Sequence, residues 1–315
     1  MLGAYLQYLR EQAQISRSAL AARCGLAEAE LQAIETGEQP QISGSLLLEI
    51  SQGLQLHQAS QFANLVQRNG RMRKFRAYAI GLPKTGTNSI FGIFGNYTSI
   101  HDFRQRDAQQ HLRAFRAGAI TRAELAGFIL ERDRSACAEM DSANALWPYT
   151  GILAGIFPDA KFIGLIRDPF SWANSYINHF SAPGSHLESP DFLPPDVETA
   201  KNELRHHLPS HIESIIAYWA ASVRAMLAEL PPGRSLVVRT HEISNRIDDL
   251  AELVGMPPET LRRDQSHLNR AACHVNALER CDRDFLRQLF QNHCHTLVDE
   301  HFPGFSLDRF LEPLS

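Results

Sequence analysis

Apolar and polar positions follow two different rhythms along this chain. Over residues 1–56 apolar residues recur at three and four spacing in short runs, LGAYLQYLREQA, SRSALAARCG, AEAELQAIETG and SGSLLLEISQGL, separated by Ser, Gly and Pro. That is the period of amphipathic helices, and Ser16 and Ser43 stand where an N-cap hydroxyl would open the second and the last of them. From residue 75 onward the rhythm changes to short apolar runs, Phe75 to Ile80, Phe162 to Ile166 and SLVVRTHEI from Ser235, each followed by a helical pattern. Buried strands alternating with helices predict a parallel sheet flanked by helices. Residues 1–60 are thus expected to form a small all-α domain, 61–74 to join the two parts, and 75–315 to form the α/β domain.

The strand pattern ending at Ile80 runs directly into GLPKTGTNS, Gly81 to Ser89, and a helical pattern runs out of it. A loop so placed can hold an anion on the backbone N–H groups of a helix N-terminus, which makes the α/β domain P-loop-like. Gly81 and Gly86 have the GxxxxG spacing of a nucleotide triphosphatase loop. Thr87, however, stands where that motif requires lysine, and Lys84 precedes the second glycine, which points away from ATP as the ligand. The second informative segment is KFIGLIRDPFSWANSYINHF, Lys161 to Phe180: an apolar strand ending in Arg167, then Pro169 suited to a first helical turn. Ser175 lies two turns beyond Arg167 and can reach back along the same helix face.

Together these segments resemble the cytosolic-type sulfotransferases, whose 5'-phosphosulfate loop reads strand, Pro-Lys-Thr-Gly-Thr, helix. The resemblance extends over roughly residues 75 to 300 and takes in the later strand and helix around Ser235 to Gly255. It implies the donor 3'-phosphoadenosine 5'-phosphosulfate (PAPS), leaving adenosine 3',5'-bisphosphate as product, and a small hydroxylated acceptor, with specialised metabolism as the expected setting. Pro83, Lys84, Thr85, Gly86, Thr87, Asn88 and Ser89 would hold the 5'-phosphate. Arg167 and Ser175 would grip the 3'-phosphate. The C-terminal Arg-Lys-Gly signature of the eukaryotic enzymes is absent, with Leu268 to Arg270 the candidate replacement, and so is the aromatic residue that usually follows the loop.

Sulfuryl transfer is a matter of positioning and charge neutralisation and requires no metal. Lys84 is the expected neutraliser of charge on the leaving oxygen. The acceptor hydroxyl must lose a proton, and two places could supply the base. One is His101 with Asp102, in SIHDF; the other is AEMDSA, with Glu139 and Asp141. Asp102 with His101 is the first choice. Trp172, Tyr176, Tyr218 and Trp219 read as core or pocket wall, and the clusters His293, Cys294, His295 and His206, His207, His211 read as surface or core residues. Residues 181–198, rich in Pro, Ser and acidic residues, are expected to form a mobile loop over the site.

The front of the chain resembles the helix-turn-helix domain of the XRE repressors, down to Ile-Glu-Thr-Gly at Ile34 to Gly37. Its charge argues against a nucleic-acid role: three arginines, Arg10, Arg17 and Arg23, against six glutamates, a balance of −3 over residues 1–56. Glu28 and Glu30 open the third helix and Glu35 closes it, so the expected recognition helix would turn carboxylates toward a polyanion. The basic run RNGRMRKFR, with Arg68, Arg71, Arg73, Lys74 and Arg76, reads as a solvated linker edge.

The full chain carries 31 Lys and Arg against 35 Asp and Glu, so any anion site must be local. Five cysteines without a CxxC pair fit reduced thiols. Without a leader pattern or a long apolar run, a soluble cytoplasmic protein is expected. A helix-turn-helix module that dimerises would make it a homodimer. The rival readings are a nucleotide-sensing helix-turn-helix regulator and a P-loop kinase.

Overall fold

The computed structural model of the chain describes residues 1–56, 59–181, 208–266 and 277–311. His206, His207, Leu268 to Arg270 and the segment 181–198 beyond its first residue lie outside the described residues.

Five helices open the chain: α1 (Leu2–Gln12), α2 (Arg17–Arg23), α3 (Glu28–Thr36), α4 (Gly44–Gly53) and α5 (Ala59–Arg68). The Ser16 and Ser43 hydroxyls accept the backbone N–H of Ala19 and Leu46, capping α2 and α4 as the sequence predicts. Leu2, Leu6, Leu20, Leu31, Ile34, Ile50 and Leu65 share one buried cluster. Because Leu65 belongs to it, α5 is part of this module, and the stretch read as a joining segment is helical through Arg68.

The remainder is a three-layer α/β structure. Strands β1 (Ala77–Gly81), β2 (Ser99–His101), β3 (Met140–Ser142), β4 (Lys161–Ile166) and β5 (Ser235–Arg239) form a parallel sheet in the order β2-β3-β1-β4-β5. Alternate residues of the central strands face opposite layers. Tyr78, Ile80, Phe162 and Ile166 enter a large core with Phe128 of α8 (Arg122–Ala136), Trp172 of α10 (Pro169–Ser181) and Trp219 of α11 (Leu208–Glu229). Ala77, Ala79, Ile163 and Leu165 enter a second core with Ile90 and Ile93 of α6 (Thr87–Ile93) and with Leu250 of α12 (Ile247–Val254). Burial on both faces is why these strands read as continuous apolar runs. Between β2 and β3 come α7 (Gln105–Arg116) and α8, and α9 (Thr150–Ile156) leads into β4; three short helices, α13 (Arg283–Leu289), α14 (His295–His301) and α15 (Leu307–Leu311), close the chain. From β1 the chain moves toward β2 and β3, and from β3 it crosses to β4. The order of connections therefore reverses around β1 and opens a crevice at the carboxyl ends of β1 and β4, where ligands of open α/β sheets bind.

The N-terminal helices pack directly on this domain. Arg68, 1% exposed, donates through Nε and Nη2 to the Ala136 carbonyl at 3.2 and 2.8 Å and stacks on Tyr5 of α1. Gln67 donates to the Tyr97 carbonyl. The reading of RNGRMRKFR as a solvated edge is therefore corrected. Arg73 makes a two-pronged contact with Asp133, and Arg76 pairs with Asp133 and Asp159 while lying over the Phe157 ring. These cations fasten the molecule together. Among the described residues, no helix is long and apolar enough to cross a membrane.

Candidate active site

The loop between β1 and α6 lies at the crevice, and its backbone is held from outside. Trp172 donates its indole N–H to the Pro83 carbonyl at 2.8 Å, and Arg167 donates to the Lys84 carbonyl at 3.4 Å. The Thr240 hydroxyl, just past β5, donates to the Thr85 carbonyl at 2.8 Å, and Ser142, at the end of β3, donates to the Thr87 carbonyl at 2.6 Å. In a trans peptide the N–H points opposite to the C=O. Pinning the carbonyls of residues 83, 85 and 87 thus turns the amides of Lys84, Gly86 and Asn88 to the other side, into the loop's concave face. Strand ends supply three of these donors, Arg167, Thr240 and Ser142, and α10 supplies Trp172, so the surrounding sheet and helix impose the shape of the loop.

Two residues explain why this loop needs glycine. Gly86 caps α6 at φ +109°, and a Cβ there would come within 2.4 Å of Ile243 Cδ1. At Gly81 a Cβ would meet the Thr85 hydroxyl at 2.5 Å and the Leu165 carbonyl at 2.6 Å. Lys84 also has positive φ, at +70°. A non-glycine residue held there marks a conformation over-determined by its surroundings.

Charge at this crevice is one-sided. Lys84 and Arg167 are half-buried, and among the described residues no carboxylate makes an ion pair with either. Burial and the neighbouring Arg167 cation push the Lys84 ammonium below the usual lysine range. Burial likewise lowers Arg167, against the opposing pull of Asp168. The Asp168 carboxylate accepts the Ser171 N–H at 2.9 Å and so caps α10. Ser175, two turns into α10, is buried. His179, one turn further, is pushed below the ordinary histidine value by burial and then by Lys84, a neighbour the sequence did not suggest.

A polar chain leads from the loop to the first of the two predicted base positions. Thr87 Oγ1 lies 3.2 Å from His101 Nε2, and His101 Nδ1 lies 3.3 Å from Asp102 Oδ2. Asn144 donates to both Asp102 oxygens, at 3.2 and 3.4 Å. Burial raises the Asp102 carboxyl above the usual aspartate range, with His101 opposing the shift. The second predicted position is arranged otherwise. Asp141 is buried within β3 and accepts both terminal nitrogens of Arg132. Glu139 accepts the backbone N–H groups of Lys74 and Thr98. Both carboxylates are engaged by internal donors, whereas the Asp102 side chain is one-quarter exposed and is linked to the loop through His101.

Thr240, Trp172, Ser142 and Asn144 act on the loop or on Asp102 without having been singled out for it. Trp172 was read only as core or pocket wall, and it is both buried and a donor. Among the described residues no group of three or more His, Cys, Asp or Glu could hold a metal ion.

A phosphate-type loop, a Lys and an Arg without an ion pair among the described residues, and a polar chain to an acidic residue thus meet at the carboxyl ends of a parallel sheet. In comparison with known families, residues 78–224 match the sulfotransferase domain and residues 1–62 match a helix-turn-helix domain. The chain carries a helix-turn-helix domain followed by a sulfotransferase domain. Among solved structures, a sulfotransferase from Alicyclobacillus acidocaldarius shares 14% identity with a TM-score of 0.42, over 72% of this chain and 95% of that one. No curated protein matches the chain.

Proposed function

We propose that the protein transfers a sulfuryl group from PAPS to a hydroxyl of a small-molecule acceptor. The observation that carries this reading is the adjacent Lys84 and Arg167, two half-buried cations that make no ion pair with a carboxylate among the described residues, Asp168 acting on Arg167 only from a distance. Like charges brought together at a cost in desolvation and repulsion are the signature of a site completed by an anion. A nucleotide phosphorylated at both ends fits this donor set: Lys84, Thr87, Asn88, Ser89 and the amides of Lys84, Gly86 and Asn88 on one side, Arg167 and Ser175 on the other.

Bound PAPS would supply the sulfuryl group together with its phosphate leaving group. Lys84 Nζ would hold positive charge against the oxygen on which negative charge grows, within a site shielded enough for that charge to matter. Asp102 would take the acceptor proton on a carboxylate oxygen. Its raised pKa suits a base better than an ordinary aspartate, and Asn144 and His101 fix its orientation. Asp141, tied to Arg132, would position rather than accept. The P-loop kinase reading is disfavoured by the absence of a lysine after Gly86.

The helix-turn-helix domain is read as non-DNA-binding. Arg10 and Arg17 both donate to the buried Glu35, and Arg23 donates to the Gly53 carbonyl. Glu35 thus does not face a polyanion as its position in the sequence suggested; the exposed carboxylates of α3 are Glu28 and Glu30. Retardation of a duplex by the full chain at physiological salt would overturn this part of the proposal.

Calorimetry separates the readings. Adenosine 3',5'-bisphosphate is expected to bind tightly and Mg-ATP weakly; the reverse order would eliminate sulfuryl transfer in favour of the kinase. A mass gain of one sulfuryl group on a phenolic or alcoholic acceptor would establish the reaction itself.

A further inference from the structure

The segment that carries Asp102 is strained and is braced from three sides, one of which belongs to the N-terminal domain. Asp102 and Arg104 have φ of +52° and +50°. Neither is glycine, and two left-handed residues flanking Phe103 persist only where the surroundings over-determine them. One brace is Arg132, whose Nε and Nη2 donate to the Phe103 carbonyl at 3.0 and 2.6 Å while its guanidinium also holds Asp141. Another is Arg104, which donates to Asp107 at 2.6 Å and to Glu131 at 2.5 Å, with its guanidinium carbon 5.2 Å from the centre of the Phe128 ring. The third is Tyr8 of α1. Its ring meets Phe103 edge to face at 5.4 Å, and the Arg104 guanidinium lies 5.7 Å from its centre. Tyr8 therefore touches the middle of the strained turn, Phe103, and its second left-handed residue, Arg104.

We infer that Tyr8 is a positioning residue for the sulfotransferase site, and that the helix-turn-helix domain serves here as a fixed part of the catalytic unit. The inference rests on the reading of Asp102 as the base. The N-terminal domain has an anchorage apart from Tyr8, because Arg68 and Gln67 of α5 bond the Ala136 and Tyr97 carbonyls and Arg68 stacks on Tyr5 of α1. Truncating Tyr8 thus leaves the domains docked and removes the aromatic contact on Phe103 and Arg104, while Arg104 keeps Asp107 and Glu131. A small shift of Asp102 follows, and misplacing a catalytic group by as little as 1 Å costs up to about a hundredfold in rate.

The test uses the full chain with Tyr8→Ala, Tyr8→Phe, Asp102→Asn and the Tyr8→Ala, Asp102→Asn double variant. Hydrogen exchange is expected to quicken by up to about tenfold in residues 99–106 of Tyr8→Ala, the equivalent of one aromatic pair. Residues 82–88 and the affinity for adenosine 3',5'-bisphosphate should stay unchanged, and Tyr8→Phe, which keeps the ring contact, should match the parent protein. With PAPS and 2-naphthol, Tyr8→Ala should lower kcat roughly tenfold at constant KM for PAPS, and should cost under about twofold in the Asp102→Asn background. Unaltered exchange at residues 99–106, or an equal loss in both backgrounds, would overturn the inference. If Asp102→Asn retains full activity, the assignment of the base fails on its own, and the exchange result, which needs no acceptor, still decides whether Tyr8 braces the turn.

Discussion

The two parts of the molecule use their cations in opposite ways. In the N-terminal domain Glu35 gathers and neutralises Arg10 and Arg17, and Arg23 is tied to the Gly53 carbonyl. At the crevice of the sheet Lys84 and Arg167 stand together with no ion pair to a carboxylate among the described residues, and Trp172, Thr240 and Ser142 pin the loop by its carbonyls. An anion site is thus marked by charge left unpartnered rather than by the number of basic residues. The run from Arg68 to Arg76 makes the same point. It is the most basic stretch near the strand, yet Arg68, Arg73 and Arg76 are all engaged internally.

The contrast breaks most sharply at Lys84. Lys84→Met should lower kcat by about a hundred- to a thousandfold, the scale of losing one preorganised charge donor, with the protein still folded. Initial rates with PAPS and a phenol measure this, and a loss below about fivefold would mean that Lys84 is not the neutralising group. The mirror experiment is Glu35→Gln, which leaves Arg10 buried without its partner. It should destabilise the N-terminal domain by about 3 kcal/mol while leaving the affinity of the crevice for adenosine 3',5'-bisphosphate intact. Urea unfolding followed by a probe in that domain checks it.

Much of this arrangement could be read from the chain, and what could not has a common cause. Strand, loop and helix around Lys84, and strand end and helix around Arg167, are each contiguous, so local patterning sufficed. His101 with Asp102 was visible for the same reason. The braces were not, because they join residues far apart in sequence: Trp172 bonds a carbonyl 89 positions away and Thr240 one 155 positions away. Glu35 looked like an exposed carboxylate on a recognition helix because nothing local reveals that Arg10, 25 positions earlier, reaches it. Asp141 was the second candidate base, and nothing local in the sequence reveals that Arg132, nine positions earlier, holds it. Residue type and spacing predict where a group lies, and only the fold decides whether its charge is already answered.

Trp172→Phe tests the pinning itself. It keeps the ring packing against Tyr176 but leaves the Pro83 carbonyl without its donor, which should cost about 1–2 kcal/mol of stability. Because the carbonyl is free to turn, the Lys84 amide should turn with it, and nucleotide affinity should fall more than thermal stability alone would explain. Calorimetry alongside a denaturation curve distinguishes the two. An affinity that is unchanged would mean that the loop holds its shape without the indole.

The smallest effect is on stability itself, and it has opposite signs at the two ends of the pH scale. Lys84 is held below the ordinary lysine value of about 10.4, so just below that value the unfolded chain binds more protons than the folded one. Stability of the nucleotide-free protein should therefore rise with pH through that alkaline window. Asp102 is held above the ordinary aspartate value of about 3.9, so above it the folded chain keeps the proton longer, and the contribution of that carboxyl is present in acid and lost as pH rises through its folded value. Lys84→Met should remove the first dependence and Asp102→Asn the second, each variant being slightly more stable than the parent near neutral pH although slower as an enzyme. Adenosine 3',5'-bisphosphate should flatten the alkaline dependence in the parent protein alone, because a bound phosphate restores the charge that Lys84 lacks. Thermal unfolding across pH with and without the nucleotide measures all of these, and an alkaline slope that survives in Lys84→Met would locate the uncompensated charge elsewhere.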